Sequence, residues 1–114
     1  MKITRLKLTN TSLDKFVNFI IFHQEFMYES HSEKMTVLIN QVSHFDSDYG
    51  HDTQVLIARD MGTEIHVDLI SNPDDYSIVE IFKNQEPRLS KKIKHALKTY
   101  GKEEGIDWIE IEVN

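Results

Sequence analysis

A chain of 114 residues with a hydrophobic fraction of 39% can bury one core, which excludes a wholly disordered protein. It contains no cysteine, which excludes a disulfide framework, a thiolate nucleophile and a cysteine-based zinc site. The net charge of −6 argues against general affinity for nucleic acid, and no apolar run is long enough for a membrane-spanning helix.

The charges are distributed unevenly along the chain. Residues 87–102 carry six Lys or Arg and no acid, whereas residues 46–86 carry ten Asp or Glu against two basic residues. This pattern predicts a cationic helix and broad anionic surfaces, so electrostatic steering is expected at the functional contacts. We expect a cytoplasmic protein with one domain over residues 1–114, no cofactor and no membrane association.

In the first half of the chain, residues 2–8 alternate between apolar and charged or polar side chains, which predicts a short strand. Helical spacing of apolar residues then predicts a helix over about 12–29, rich in aromatics. A homodimer would cover the outer aromatics of this helix. Residues 34–45 keep a helical rhythm, so a second helix is preferred, with a strand through 35–39 as the alternative.

The second half reads as three strands, a helix and a last strand. Gly62 suits a tight hairpin between the first two of these strands, and residues 71–75 suit a turn between the second pair. The predicted strands are 53–60, 63–70, 76–83 and 106–113, and the helix is 88–103. The expected fold is α+β in the order β-α-α-β-β-β-α-β, a four- to five-stranded mostly antiparallel sheet with two to three helices mainly on one face.

The helix over 88–103 is predicted to be amphipathic. Its basic residues recur every three or four positions and are Arg88, Lys91, Lys92, His95, Lys98 and Lys102. Such a face is typical of a solvated surface, but it also suits an acidic protein or the phosphates of a nucleic acid. Tyr100 falls on the predicted apolar side, so no aromatic for base stacking is expected on this helix.

A cluster of histidines and acids suggests a second, weaker hypothesis, a metal-dependent hydrolase. The candidate ligands are His44, His51, His66 and Asp68. Glu64, His66 and Asp68 are spaced to share one face of a strand. The spacing matches no established metal signature, so a solvated turn and a wet strand face are the preferred interpretation, and no enzyme is predicted.

The preferred hypothesis is a small acidic inhibitor, either an immunity or an anti-defence protein of bacterial, phage or mobile-element origin. Its anionic surface would mimic nucleic acid and occupy the basic groove of a larger partner, such as a nuclease or defence effector. The candidate contacts are Asp46, Asp48, Glu64, Asp68, Asp74 and Asp75, with Trp108 as an aromatic anchor. Trp108 fits a core position equally well.

Overall fold

The structure is a computed structural model that describes residues 2–43, 51–73 and 88–112. The strands in these ranges are β1 (Lys2–Thr9), β2 (Tyr28–His31), β3 (Met35–Ser43), β4 (His51–Asp60), β5 (Ile65–Pro73) and β6 (Asp107–Ile111). The helices are α1 (Leu13–His23) and α2 (Arg88–Ala96), and a wider π-helical turn over Leu97–Gly101 continues α2. Neither described helix is long and apolar enough to cross a membrane.

The six described strands form one antiparallel sheet in the order β2-β3-β4-β5-β1-β6. Strands β2 to β5 follow one another as a meander, β1 pairs with β5, and β6 pairs with β1. The α+β class and the antiparallel sheet are therefore confirmed. The sheet has more strands than predicted because two strands replace the second predicted helix and the end of the first. The predicted strand 76–83 and residues 74–75 lie outside the described residues. The prediction that a turn begins at residue 71 is wrong, because β5 continues to Pro73 in its pairing with β4.

The first helix begins as predicted but is shorter. The Ser12 side chain caps α1 by accepting a hydrogen bond from the backbone N–H of Lys15 at 3.1 Å. The helix ends at His23, so the prediction of a helix to residue 29 is wrong. Beyond it the N–H of Met27 donates to the carbonyl of Ile39, which starts the pairing of β2 with β3. Strand pairing here overrides the helical spacing of the apolar residues.

The preferred helix over 34–45 is also wrong, and the alternative strand is correct. In β3, Thr36 and Leu38 are buried, whereas Val37 and Ile39 are half-buried on the opposite face. Because both faces of the strand carry apolar or β-branched residues, the sequence shows no alternation of apolar and polar side chains here. The β-branched content of this run nevertheless favours a strand.

The hydrophobic core lies between one face of the sheet and the two helices. Alternate residues of β5 contribute to it, as predicted. The largest fully buried apolar side chains are Leu6, Leu8, Phe16, Ile20, Leu38, Leu56, Val67, Leu69, Leu89, Ile93 and Leu97. Burial of each such side chain contributes about 1.5–3 kcal/mol. Since both helices share this cluster with the same sheet face, they pack on one side of the sheet.

The turn between β4 and β5 is the predicted hairpin. Gly62 has φ of +98°, a backbone conformation that favours glycine, and its N–H donates to the Asp60 carboxylate at 2.9 Å. The hairpin fixes a register in which Asp60 lies opposite Ile65. This register places Ile65 and Val67 on the core face and His66 and Asp68 on the face that lies away from the helices.

Candidate functional site

Helix α2 is amphipathic in the structure as in the sequence. Leu89, Ile93, Ala96 and Leu97 are buried against the core. Five basic side chains are exposed on the outer side, and we call them the cationic face: Lys91, Lys92, His95, Lys98 and Lys102. The side chain of Arg88, the sixth predicted member, lies outside the described residues.

The cationic face is unneutralised within the described part of the chain. None of their side chains has an ion pair or hydrogen bond there. Lys94 differs, because it is half-buried and pairs with Glu110 of β6. The face therefore presents four lysine side chains and one histidine that have no partner in that part of the chain.

A cleft with a volume of about 1200 Å³ opens beside the cationic face. It lies between the end of α1, the segment leading into β2, and α2. Its walls combine apolar, aromatic, amide and charged side chains, including Ile20, Ile21, His23, Gln24, Glu25, Phe26, Met27, Glu29, Asn40, Lys91, Lys92, Ile93, His95 and Tyr100. Lys91, Lys92 and His95 thus belong both to the cationic face and to the wall of the cleft.

An aromatic cluster lies in the wall of this cleft. The rings of His23 and Tyr100 are stacked, with centroids 4.4 Å apart and planes 11° from parallel. Phe19 and Phe22 approach His23 edge-on, at 4.8 and 5.0 Å. Tyr100 is 43% exposed, which corrects the expectation that it lies on the buried stripe of α2. An accessible aromatic ring therefore does lie close to the basic residues.

The cleft also contains carboxylates. An oxygen of the Glu29 carboxylate lies 2.9 Å from Nε2 of His31, two residues along β2. Glu25 has no ion pair within the described residues, and its backbone carbonyl accepts a hydrogen bond from the Asn40 amide at 3.1 Å. The cationic side of the cleft is therefore the α2 side, and the opposite wall is polar and acidic.

The predicted anionic contacts are located in part. Asp46, Asp48, Asp74 and Asp75 lie outside the described residues. Asp68 is 6% exposed and lies 2.6 Å from Nε of Arg5 and 3.6 Å from Nη1 of Arg59. Its carboxylate therefore forms ion pairs with two arginines on the same face of the sheet. The hydrogen bond and charge of Asp68 raise the pKa of Arg5 above its ordinary value.

Glu64 is also engaged within the chain. Its carboxylate lies 3.4 Å from Nζ of Lys7 and 3.3 Å from Nε2 of His66. Desolvation acts to raise the pKa of Glu64, but the contacts from His66 and Lys7 together outweigh it and leave the pKa below the ordinary value. Both described acids of the predicted set thus form ion pairs on the sheet face away from the helices.

Trp108 occupies a position at the edge of the core, which is the second of the two positions predicted for it. It lies opposite Leu8 in the β1–β6 pairing and is partly buried against the core cluster. Glu110, two residues on, shares this side and contacts Lys94 from α2. The strand's alternation was predicted correctly, and it leaves Ile109 on the opposite face, 55% exposed.

The residues proposed as metal ligands are not brought together in the described structure. His44 lies outside it, as does the side chain of His51. His66 and Asp68 share a strand face as predicted, but Asp68 is held by Arg5 and Arg59. Across the described ranges, no three His, Asp or Glu residues are arranged so that they could hold a metal ion.

The site residues that sequence reasoning missed are His23, Phe26, Met27 and Tyr100. The first three were assigned to a long buried helix, and Tyr100 was placed on an apolar stripe. A usable signal in the sequence was the number of aromatic residues around the end of the first helix, and one of them, Phe22, is 84% exposed in the structure. In comparisons with protein-family models, curated proteins and solved structures, nothing matches this chain.

Proposed function

We propose that this protein is a non-enzymatic nucleic-acid-binding module that uses the cationic face of α2. The observation that carries the proposal is the line of exposed cations without ion pairs in the described residues. Each lysine on such a line can neutralise one phosphate and release a counterion, which is the main source of non-specific affinity for nucleic acid. The cleft beside it adds apolar and aromatic surface for the rest of the ligand.

The overall charge of −6 does not prevent such binding, because exposed charges act locally. At about 0.1 M salt the screening length is about 10 Å, so the charges nearest the ligand dominate. Glu64 and Asp68 lie on the sheet face away from α2 and are compensated by basic partners. A phosphate at α2 therefore meets Lys91 and Lys98 without close opposition from those two carboxylates.

Fluorescence anisotropy with a labelled 12-nucleotide oligo-dT tests the proposal. Four lysines contacting four phosphates give a salt slope of about −2.8, so the affinity should fall about 50-fold between about 50 and 200 mM salt. In the double variant Lys91→Gln, Lys98→Gln, the slope should fall to about −1.4 and the loss to about sevenfold.

Lys34→Gln supplies a control that removes one exposed charge away from the site. Lys34 lies in the turn between β2 and β3 and approaches Asp60 only at 4.0 Å. Its replacement should leave both the affinity and the salt slope unchanged. Absence of binding at about 50 mM salt, or an equal effect of the control and the double variant, would reject the proposal.

A second candidate function is the inhibitor predicted from the sequence, which the net charge of −6 favours. In that case an anionic surface docks onto a basic groove of a larger protein, such as a nuclease. Affinity capture from host lysate at about 100 and about 500 mM salt, with and without nuclease treatment, separates the two candidates. A protein partner that survives nuclease treatment and is lost at high salt favours the inhibitor, whereas recovery of nucleic acid alone favours the binding module.

A further inference from the structure

We infer that the stacked pair of His23 and Tyr100 is a platform for an unpaired nucleobase, which makes the ligand a single-stranded nucleic acid. This inference rests on the proposed function and names the ligand of the same site. Three features carry it: the fixed geometry of the pair, its position beside free lysines, and the charge of the remaining cleft wall.

The geometry of the pair makes Tyr100 the outer ring of a prearranged stack. The ring of His23 contacts Phe19 and Phe22 edge-on and Tyr100 face to face, and of the two phenylalanines Phe19 is buried. Tyr100 has His23 as its ring partner in the described structure and is 43% exposed. Parallel stacking occupies one face of the tyrosine ring, which leaves the other face for a further flat group.

The position of the pair matches the construction of single-strand sites. Those sites combine cations that follow the phosphates with aromatic rings on which bases stack. Lys91 and Lys92 line the same cleft as Tyr100. Phosphates on the cationic face would therefore leave their bases within reach of the tyrosine.

The carboxylates of the cleft distinguish a nucleic acid from an acidic peptide. Glu25 and Glu29 line the wall opposite α2 and would repel acidic side chains that enter the cleft. Neutral bases carry no charge for these carboxylates to repel. The arrangement thus suits a ligand with its charge outside the cleft and neutral flat groups inside.

The test compares oligo-dT of 12 nucleotides with an abasic oligomer of the same length, which has the same phosphates and no bases. We expect the wild-type protein to bind oligo-dT about tenfold more tightly, the size of effect typical for one stacked base. Tyr100→Leu should abolish this preference without changing the affinity for the abasic oligomer. Tyr100→Phe, which keeps the ring, should retain the preference.

A 12-base-pair duplex and a poly-glutamate peptide complete the comparison. Paired bases are not free to stack, so Tyr100→Leu should leave the duplex affinity unchanged. NMR of the wild-type protein supplies a measurement that needs no variant, because a base stacked on Tyr100 shifts the ring protons of Tyr100 upfield.

Each failure has a different meaning. Equal binding of oligo-dT and the abasic oligomer, with steep salt dependence, overturns the base platform and leaves the proposed function in place. Poly-glutamate binding as tightly as oligo-dT also overturns the platform and identifies an acidic polypeptide as the ligand. If no oligomer binds at about 50 mM salt, the proposed function fails and the platform fails with it.

Discussion

The ion pairs of Asp68 with Arg5 and Arg59 should stabilise the fold, and Asp68→Asn tests this. Asp68 is 6% exposed, whereas the arginine side chains are 38% and 45% exposed. A hydrogen bond to a charged group contributes about 1.5–3 kcal/mol, and water can rehydrate the two arginines after the charge is lost. We therefore expect the free energy of unfolding to fall by about 1–2 kcal/mol.

Urea denaturation followed by circular dichroism measures this loss. With a slope of about 2 kcal/mol per M, the midpoint should fall by about 0.5–1 M urea. Glu33→Gln removes an acid from the exposed turn between β2 and β3 and should change the stability by less than about 0.5 kcal/mol. If Asp68→Asn is as stable as Glu33→Gln, the pairs do not stabilise the sheet, and Asp68 becomes available as a contact for a partner.

Two further predictions concern Glu64 and Gln54. The pKa of Glu64 lies below its ordinary value of 4.5, so its stabilising contribution is complete above that pH and is lost as the pH falls through the lowered value. An NMR titration of Lys7→Met should show the pKa of Glu64 moving upward, and an unchanged pKa would contradict the role given to Lys7. Gln54 is 1% exposed, and its Nε2 has no hydrogen-bond partner among the described residues. Replacement by the similarly shaped methionine should raise the free energy of unfolding by about 1 kcal/mol, as measured by urea denaturation, whereas a clear loss of stability would mean that the amide is satisfied.

The helices and strands whose apolar residues fit only one repeat, either that of a helix or that of a strand, were predictable from the sequence. Alternation in β1, β5 and β6, the cap at Ser12 and the glycine of the hairpin each have a local physical cause. The basic and apolar sides of α2 were predictable for the same reason. Residues 24–43 were not, because their apolar residues fit a helix and a strand about equally and long-range pairing with β4 decides between the two.

Only part of the candidate site could therefore be predicted from the sequence. The lysines of α2 follow from helical spacing alone. The stack of His23 on Tyr100 joins positions that are distant in the chain, and it depends on where α1 ends. The ion pairs of Asp68 likewise depend on the register of β1, β4 and β5. This register places Arg5 opposite Asp68, and Arg59 opposite His66, which lies two residues before Asp68 on the same strand face.

The sequence by itself determined the α+β class, the hairpin at Gly62, the amphipathic character of α2 and the clustering of positive charge on its outer side. These features depend on backbone preferences and on side-chain periodicity within short segments. Only the tertiary structure decided that residues 28–43 form two strands, that Asp68 is neutralised and that an aromatic stack lies beside the lysines. Those outcomes depend on contacts between residues far apart in the chain, whose free energies outweigh the small local preferences.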